Sequence, residues 1–462
     1  MDFEVSYNLD SAEQFWLELE DILSAQCQSH ESIDNALRSY LAFTTNFKGE
    51  YLQSDDDIAK CSCKLLESAI FTGHQDYVRR QIVYALLQED DAASLHLIAA
   101  ILLHDGRASE ETLYMMQTEG VFPRLVELIK VWDSRDEQLH RLLLHCMYEM
   151  SRIQRLTWED MSAVDDSFVL SLFAITESLS SDASDPYHYP VIRVLLVLNE
   201  QYMVQAALAS AVRKDSGGRL VPPLTNRVIK ALSTHLSSWK TFGENLILLL
   251  NRESETSLQL LILKLLYLMF SNNSTAEYFY TNDLHVLTDV ILRNLLDLPS
   301  EDDNMKALRN TYLRVLHMLL ANSQFRLEGQ AYKASEIRQV LLVLSGEGGH
   351  HFAPADPTTV RLVNRCREVE WLQEQLESPD NDLSPTITLS PVDGNISNGN
   401  HRRIDSKRET DGEGSKEVAR RTLGMHLHDG GSALSVAAVA EHTEKPGVIT
   451  PSRAHYGEEN DT

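Results

Sequence analysis

The sequence is poor in residues that break helices and has no excess of basic residues. Its 462 residues include only 20 glycines and 13 prolines, which favours a mostly helical protein. Its 41 lysines and arginines are outnumbered by 68 aspartates and glutamates, and the formal net charge is −27. Such a chain would be repelled by a phosphate backbone and by an anionic membrane surface. The composition therefore predicts a protein that binds no nucleic acid and adheres to no membrane.

Cysteine is scarce, and motifs for catalysis or metal binding are absent from the sequence. The five cysteines have neither the paired spacing of a zinc site nor the even number of a disulfide framework; they lie at positions 27, 61, 63, 146 and 366. Reduced thiols and an acidic N-terminal segment without an apolar run predict a cytoplasmic protein. No P-loop, GxGxxG, HExxH, EF-hand or nucleophile-elbow pattern occurs. The sequence predicts no cofactor, no metal and no enzymatic activity.

Apolar residues recur at helical spacing from Ser11 to Glu377, with Ser11 as a predicted N-cap. The predicted helices include residues 55–72, 75–88, 92–104, 109–119, 121–131, 136–153, 165–179, 191–212 and 224–237. The predicted breaks are at Gly73, Gly106, Gly120, Pro186, Gly217, Gly218, Pro222, Pro223 and Pro299. Further on, Asp356 and Pro357 predict an N-cap and a first helical residue for a helix that runs to residue 377.

Residues 258–321 contain three apolar helical patterns, two of them richer in leucine than one solvent-facing helix needs. We expect these helices to be clamped between neighbours. The most apolar run, residues 258–270, is too short to span a bilayer and contains Lys264.

A sequence that predicts many helices and no strands is compatible with two architectures, a closed helical bundle and an α-solenoid of the armadillo or HEAT type. A bundle of this length would need one core larger than single cores usually become. Helix pairs that recur about every 40 residues match the solenoid period. The glycine bend before the apolar helix in GVFPRLVELIK, residues 120–130, is typical of an armadillo repeat. The sequence therefore predicts an all-α, armadillo/HEAT-like α-solenoid over residues 1–378.

The composition changes after Ser378, and residues 379–462 are predicted to be a disordered C-terminal tail. This segment is rich in Ser, Asp, Asn, Gly and Pro and has no apolar periodicity. Four residues each precede a proline: Ser378, Ser384, Ser390 and Thr450. Two interpretations stay open, an inert tail and a tail that proline-directed kinases phosphorylate.

Histidines offer two weak candidates for a catalytic or metal site. His96 and His104 share one apolar helix, eight residues apart and with no carboxylate between them, so core positions are the simpler interpretation. His350 and His351 are adjacent in a glycine-rich segment, where neighbouring side chains point apart rather than toward one metal.

The predicted helix over residues 305–321 has two unlike faces. Its apolar face consists of Leu308, Tyr312, Val315, Leu316 and Leu319. Its opposite face carries Asn310, Arg314 and His317, with Arg309 near the margin. One hypothesis is a positively charged docking patch, since arginine and tyrosine carry much of the energy of interfaces. The alternative is an ordinary solvated face, or an arginine paired with Asp302 or Asp303.

The run before the preceding helix is a second candidate for partner binding, through Tyr278, Tyr280, Asn282 and Asp283. In the structural alternative, Thr281 or Asn282 caps the following helix and the tyrosines pack beneath it. Asn282 or Asp283 would then accept the hydrogen bond that a buried tyrosine hydroxyl needs.

Three segments carry a family resemblance: STAEYFYTNDLHVLTDVILRNLLDL (274–298), LRNTYLRVLHMLLAN (308–322) and DPTTVRLVNRC (356–366). They resemble the leucine-rich domain of the WISH/DIP/SPIN family, fungal branch. The resemblance is strongest over residues 258–325 and is compatible with the helical pattern from about residue 11 to 377.

The resemblance implies an armadillo-like activator of the actin-related protein 2/3 complex. Such a protein binds the complex, favours its active arrangement without a preformed filament, and seeds linear actin filaments in cortical, endocytic actin patches. It contacts actin only indirectly, through the nucleated filament, and is expected to be a monomer. The alternative function is a generic armadillo scaffold for cortical or signalling proteins, without effect on actin nucleation. An enzyme is a more distant third hypothesis.

Overall fold

The computed structural model describes Leu9 and residues 11–132, 136–178, 188–215, 224–299, 303–327, 332–347 and 356–374. Within these ranges the chain forms α-helices and one short 3-10 helix, and no strand. The helices are α1 (Ala12–Leu23), α2 (His30–Asn46), α3 (Lys48–Tyr51), α4 (Asp55–Glu67), α5 (Ala69–Gly73), α6 (Gln75–Gln88), α7 (Ala92–Ala108), α8 (Glu110–Thr118), α9 (Val121–Trp132), α10 (Glu137–Ile153), α11 (Trp158–Ala163), α12 (Asp166–Ser178), α13 (His188–Asp215), α14 (Arg227–Thr234), α15 (Lys240–Arg252), α16 (Thr256–Ser271), α17 (Thr281–Asp297), α18 (Asp303–Asn322), the 3-10 helix η1 (Gln324–Arg326), α19 (Ala334–Leu344), α20 (Pro357–Arg367) and α21 (Glu370–Glu374). The all-α prediction is confirmed.

The middle of the chain repeats a unit of one short helix followed by two longer ones. The units are α5-α6-α7, α8-α9-α10, α11-α12-α13 and α14-α15-α16, after which the pairs α17-α18 and α19-α20 continue without a short first helix. A short helix followed by two longer ones is the armadillo pattern, whereas helix pairs are the HEAT pattern.

The last helix of each unit stacks on the last helix of the next, and these helices form a ladder through the molecule. The ladder runs α4, α7, α10, α13, α16, α18 and α20. A second row packs beside it, with α6 on α9, α12 on α15, α15 on α17 and α17 on α19. Because the main contacts join units that are near in sequence, the architecture is an open helical stack, as predicted for a solenoid.

The ladder helices α7 and α16 are apolar on nearly every side, because each is covered by two ladder neighbours and by the second row. In α16 almost every side chain is buried, including Lys264, whose ammonium forms an ion pair with Glu200 of α13. The predicted clamping of the leucine-rich helices is thus confirmed, since α16 packs between α13 and α18.

One helical stretch, Tyr189–Ala209 within α13, is long and apolar enough to cross a membrane by composition. However, 67% of its apolar window is buried inside the fold. This stretch is therefore a ladder helix whose apolar side chains are mostly buried by its neighbours.

Side-chain caps fix where several helices begin. Ser11 accepts a hydrogen bond from the backbone N–H of Gln14, as its N-cap prediction required. Asp356 likewise accepts from the backbone N–H of Thr359, with Pro357 in the first turn of α20. Gly120 has a φ of +77°, so it supplies the left-handed residue at the predicted bend before α9.

Several predicted boundaries are wrong. The helix predicted over residues 55–72 is divided at Ser68, whose hydroxyl accepts from the backbone N–H of Phe71 and begins α5. Gly106 lies inside α7 rather than at a break, because it makes room for Leu113 of α8; a Cβ there would lie 2.6 Å from Leu113 Cδ2. The helix predicted from residue 357 to 377 ends at Arg367, and α21 follows. Helices α2, α15 and α19 were not identified individually from the sequence.

The predicted tail, residues 379–462, lies outside the described residues, as do His350, His351, Pro186 and the predicted breaks at 217–218 and 222–223.

Candidate partner-binding site

The predicted apolar face of α18 is buried. Each of its members is at most 1% exposed: Leu308, Tyr312, Val315, Leu316 and Leu319. The Tyr312 hydroxyl accepts a hydrogen bond from Asn294 of α17 (2.8 Å) and lies 3.2 Å from the side-chain oxygen of Gln259 of α16, to which it donates. This face therefore anchors α18 to both rows of the stack.

The opposite face of α18 is not a freely solvated surface, because α20 packs along it. The Thr359 hydroxyl of α20 donates to the Asn310 side-chain oxygen over 3.0 Å. Arg314 and His317 are half-buried on this same helix. The alternative interpretation, an ordinary solvated face, does not fit α18, because a ladder helix has neighbours on two sides.

Arg309 is in the interior, only 7% exposed. Its Nη2 donates to the backbone carbonyls of Leu298 (2.7 Å) and Pro299 (2.8 Å), where α17 has just ended. The carbonyls at a helix C-terminus lack intrahelical donors and attract positive charge. Burial lowers the pKa of Arg309, and nearby Asp356 opposes that shift. Arg309 is therefore buried rather than at the margin of a solvent-facing surface, and it closes the end of α17.

Tyr278 is also buried, 1% exposed, and its hydroxyl donates to the backbone carbonyl of Trp239. The predicted acceptors Asn282 and Asp283 are therefore not its partners. Burial raises the pKa of the Tyr278 phenol, with a smaller contribution from the charge of Glu177. The ring lies against α15 because Gly243 has no side chain; a Cβ there would be 2.6 Å from Tyr278 Cε1.

Tyr280 is the exposed member of the aromatic run, with 58% of its surface accessible. It is the N-cap residue of α17, and no side chain caps that helix, so the predicted caps Thr281 and Asn282 are wrong. Asn282 is exposed and Asp283 is half-buried in the first turn.

Lys240 of α15 organises this edge, and the sequence patterns gave no signal for it. Its Nζ lies 4.4 Å from the ring centroid of Tyr280 and donates to the backbone carbonyl of Tyr278. Burial lowers the pKa of Lys240, and the charge of Asp283 opposes that shift. Tyr280, Asp283 and Lys240 thus form one polar and aromatic edge.

The 3-10 helix η1 connects this edge to the C-terminal end of α18. Thr281 donates to the Gln324 side-chain oxygen over 2.8 Å, and Arg326 lies 3.5 Å from Glu277. Arg326 also lines a cavity of about 400 Å³, which we call the C-terminal groove. Its lining is His317, Ala321, Arg326, Arg365, Glu368, Val369, Glu370 and Trp371.

The structure divides the eight predicted binding residues into two groups. Tyr280, Asn282, Asp283, Arg314 and His317 are exposed or half-buried, toward the α17 N-terminus and the C-terminal half of α18. Tyr278 and Arg309 are buried, and Asn310 is bonded to α20. The last three position the elements that carry the first five.

His96 and His104 line a different cavity, of about 240 Å³, together with His145 of α10. No group of histidine, cysteine or carboxylate side chains within the described parts of the chain is placed to hold a metal ion. His96 is 2% exposed, and burial lowers its pKa to about 4. His96 is therefore a core histidine.

The geometry defines a class of protein: an all-α, armadillo-like stack whose ladder is rich in leucine. Residues 184–337 match the family model described as SPIN90/Ldb17, leucine-rich domain. Residues 184–337 therefore carry a SPIN90/Ldb17 leucine-rich domain, and the predicted resemblance to the WISH/DIP/SPIN family is confirmed.

Fungal relatives match over most of the chain. It is 28% identical to protein dip1 of Schizosaccharomyces pombe over 381 residues, 81% of this chain and 98% of dip1. It is 28% identical to protein LDB17 of Eremothecium gossypii, over 80% of this chain and 84% of LDB17. For protein LDB17 of Saccharomyces cerevisiae the identity is 27%, over 80% of this chain and 82% of that protein. A solved engineered protein aligns over 64% of this chain and 97% of its own, with 14% identity and a TM-score of 0.32, too low to support an argument.

Proposed function

We propose that this protein is a non-enzymatic activator of the actin-related protein 2/3 complex. It would bind the complex, favour its active arrangement without a preformed filament, and seed linear actin filaments. This proposal extends the confirmed family resemblance with the activity that the resemblance implies. It places the protein in the cytoplasm, at cortical actin patches, and acting as a monomer.

The observation that carries the proposal is the continuous edge from Tyr280 through η1 to His317, mounted on packed ladder helices. An activator works by population shift, since it must bind the active arrangement more tightly than the inactive one. An edge that bends easily would bind the active and the inactive arrangements equally tightly, and so would favour neither. Helices buried on several sides, such as α16 and α17, resist such bending.

The proposed contact residues are Tyr280, Asn282, Asp283, Arg314 and His317. Three residues inside the helical stack position these contact residues: Tyr278, Arg309 and Asn310. Tyr280 supplies a large amphipathic side chain at the edge, of the type that often dominates interface energy.

The decisive experiment follows assembly of fluorescent actin with the purified full-length chain, the complex and no preformed filament. A shortened lag supports the activator. An unchanged lag, with the complex still bound, would support the alternative, a scaffold that does not affect nucleation.

The contact surface is tested by Arg314→Glu with His317→Glu, and separately by Tyr280→Ala. Loss of a central interface residue costs ~2 kcal/mol, which weakens binding by more than about tenfold. The matched control is Arg38→Glu, an exposed arginine of α2 at the other end of the stack. If the α18 and Tyr280 variants are folded and bind the complex as tightly as the control variant, this edge is not the contact surface.

A further inference from the structure

The C-terminal end of the ladder has a small excess of basic residues although the chain as a whole is strongly acidic. Residues 303–327 and 356–374, which contain α18, η1, α20 and α21, include seven lysines and arginines against five aspartates and glutamates, in a chain of net charge −27. The C-terminal groove lies between these elements and takes Arg326 and Arg365 into its lining. Glu368 and Glu370 also line it, near the place where the described chain ends.

The described chain ends beside this groove and is held there by two hydrogen bonds. Trp371 Nε1 donates to the Leu320 carbonyl of α18 over 2.8 Å. Arg338 donates to the Leu372 carbonyl over 2.8 Å. The residues that follow Glu374 therefore begin next to the groove.

The segment that begins there is acidic, opposite in charge to the two arginines of the groove. Residues 375–401 contain acidic residues at positions 377, 380, 382 and 393 and no lysine or arginine. The same segment contains three Ser-Pro steps, at Ser378, Ser384 and Ser390.

We propose that residues 377–393 bind in cis to the C-terminal groove, and that phosphorylation of the Ser-Pro serines strengthens this contact. A chain spans up to ~3.3–3.6 Å per residue, so even the sixteen residues from Glu374 to Ser390 reach farther than the groove requires. A short tether of this kind produces an effective concentration in the millimolar range, so a weak electrostatic contact is sufficient.

Arginine is the side chain suited to this role. Each guanidinium has five N–H donors, so an arginine already engaged within the fold can still bind another carboxylate or phosphate. A phosphoserine adds about two negative charges and three strong acceptors, and arginine binds phosphate in a bidentate manner. Trp371 supplies an apolar wall against which aliphatic residues of the segment can pack.

One consequence rests on the proposed function. His317 lines the groove and Arg314 is one helical turn away on α18, so a bound segment would cover part of the proposed contact surface. Phosphorylation would then reduce binding of the complex. The cis contact itself does not depend on that function.

The experiment uses the full-length chain with the photo-crosslinker p-benzoylphenylalanine in place of Ile387. Irradiation should give a product of monomer mass, joined to peptides from residues 313–326 or 361–374. Arg365→Glu, together with Arg361→Glu one helical turn earlier on α20, should lower the yield about fivefold. Adding Asp380→Lys and Asp382→Lys should restore it, because the opposite charges are exchanged. Prior treatment with a proline-directed kinase should raise it.

The control is again Arg38→Glu, which should leave the yield unchanged. If the two α20 substitutions unfold the protein, Asp380→Lys with Asp382→Lys alone should lower the yield. Cross-links scattered over many helices, cross-links between molecules, or a yield indifferent to these charges would overturn the proposal. Because the complex is absent from this assay, the result is independent of whether the protein activates it.

Discussion

Arg79 and Asp105 form a bidentate ion pair inside the fold. Arg79 Nε donates to Asp105 Oδ2 over 2.7 Å and Nη2 donates to Oδ1 over 3.1 Å, with side chains only 5% and 6% exposed. Thr112 donates to the same carboxylate over 2.5 Å. The pair thus ties α6 to α7 and, through Thr112, to α8.

Replacing one member of this pair should destabilise the protein strongly. Arg79→Met leaves the Asp105 carboxylate buried without its cation, and removal of one partner from a buried pair costs ~3–5 kcal/mol. Urea unfolding followed by circular dichroism measures the change.

The double variant Arg79→Met with Asp105→Leu should recover most of that loss, since neither charge then remains buried. The matched control is Glu111→Gln, because Glu111 also contacts Arg79 but is 78% exposed. If Arg79→Met costs no more than Glu111→Gln, the pair is not a structural tie.

Arg309 should matter for stability and not for partner contact. Arg309→Met removes two hydrogen bonds to the carbonyls at the end of α17 and should cost ~2–3 kcal/mol. At a temperature where the variant is folded, its affinity for the complex should equal that of the unmodified chain. Calorimetry measures both, and a stable Arg309→Met variant that fails to bind would restore the docking role.

Buried histidines should make the fold sensitive to mild acid. Burial lowers the pKa of His96, His140 and His145 to about 4. In the unfolded chain they titrate near ~6.5, so between these values the unfolded state binds more protons and stability falls as pH falls.

For His96 the full effect at pH 4 is about 3 kcal/mol. His96→Gln should therefore flatten the dependence of unfolding free energy on pH between pH 6.5 and 5, a range above the titration of most carboxylates. His74→Gln, at an exposed position, is the control. An unchanged slope in the His96 variant would show that this histidine is not buried in the neutral form.

We propose that residues 1–378 form the folded unit and that residues 379–462 add no part of its core. A chain ending at Ser378 should then have the melting temperature of the full-length chain to within ~1 °C, since only the weak electrostatic contact with the C-terminal groove is removed. A lower melting temperature for the shorter chain would place part of the folded unit beyond Ser378.

The sequence correctly predicted structural features that depend only on residues close together in the chain. The N-caps Ser11 and Asp356 and the glycine bend at Gly120 were correct because each depends on a few neighbouring residues. The buried stripe of α18 was correct because apolar periodicity reports one face of a helix.

The predictions from sequence were wrong where contacts between residues far apart in the sequence determine the structure. Arg309 is buried because the C-terminus of α17 lies beside it, and Tyr278 because Gly243 makes room for its ring. Helix α15 has a glycine inside and no side-chain N-cap, so its sequence signal is weak. The edge at Tyr280 needs Lys240, a residue 40 positions earlier, which no pattern within the aromatic run contains.

The ladder of α4, α7, α10, α13, α16, α18 and α20 joins each unit mainly to its neighbours. Under tension such a stack bears the same force at every interface between neighbouring units, so the weakest interface separates first. Opening there would detach the units on one side while leaving those on the other assembled. We therefore expect unfolding under force to begin at one interface between neighbouring units.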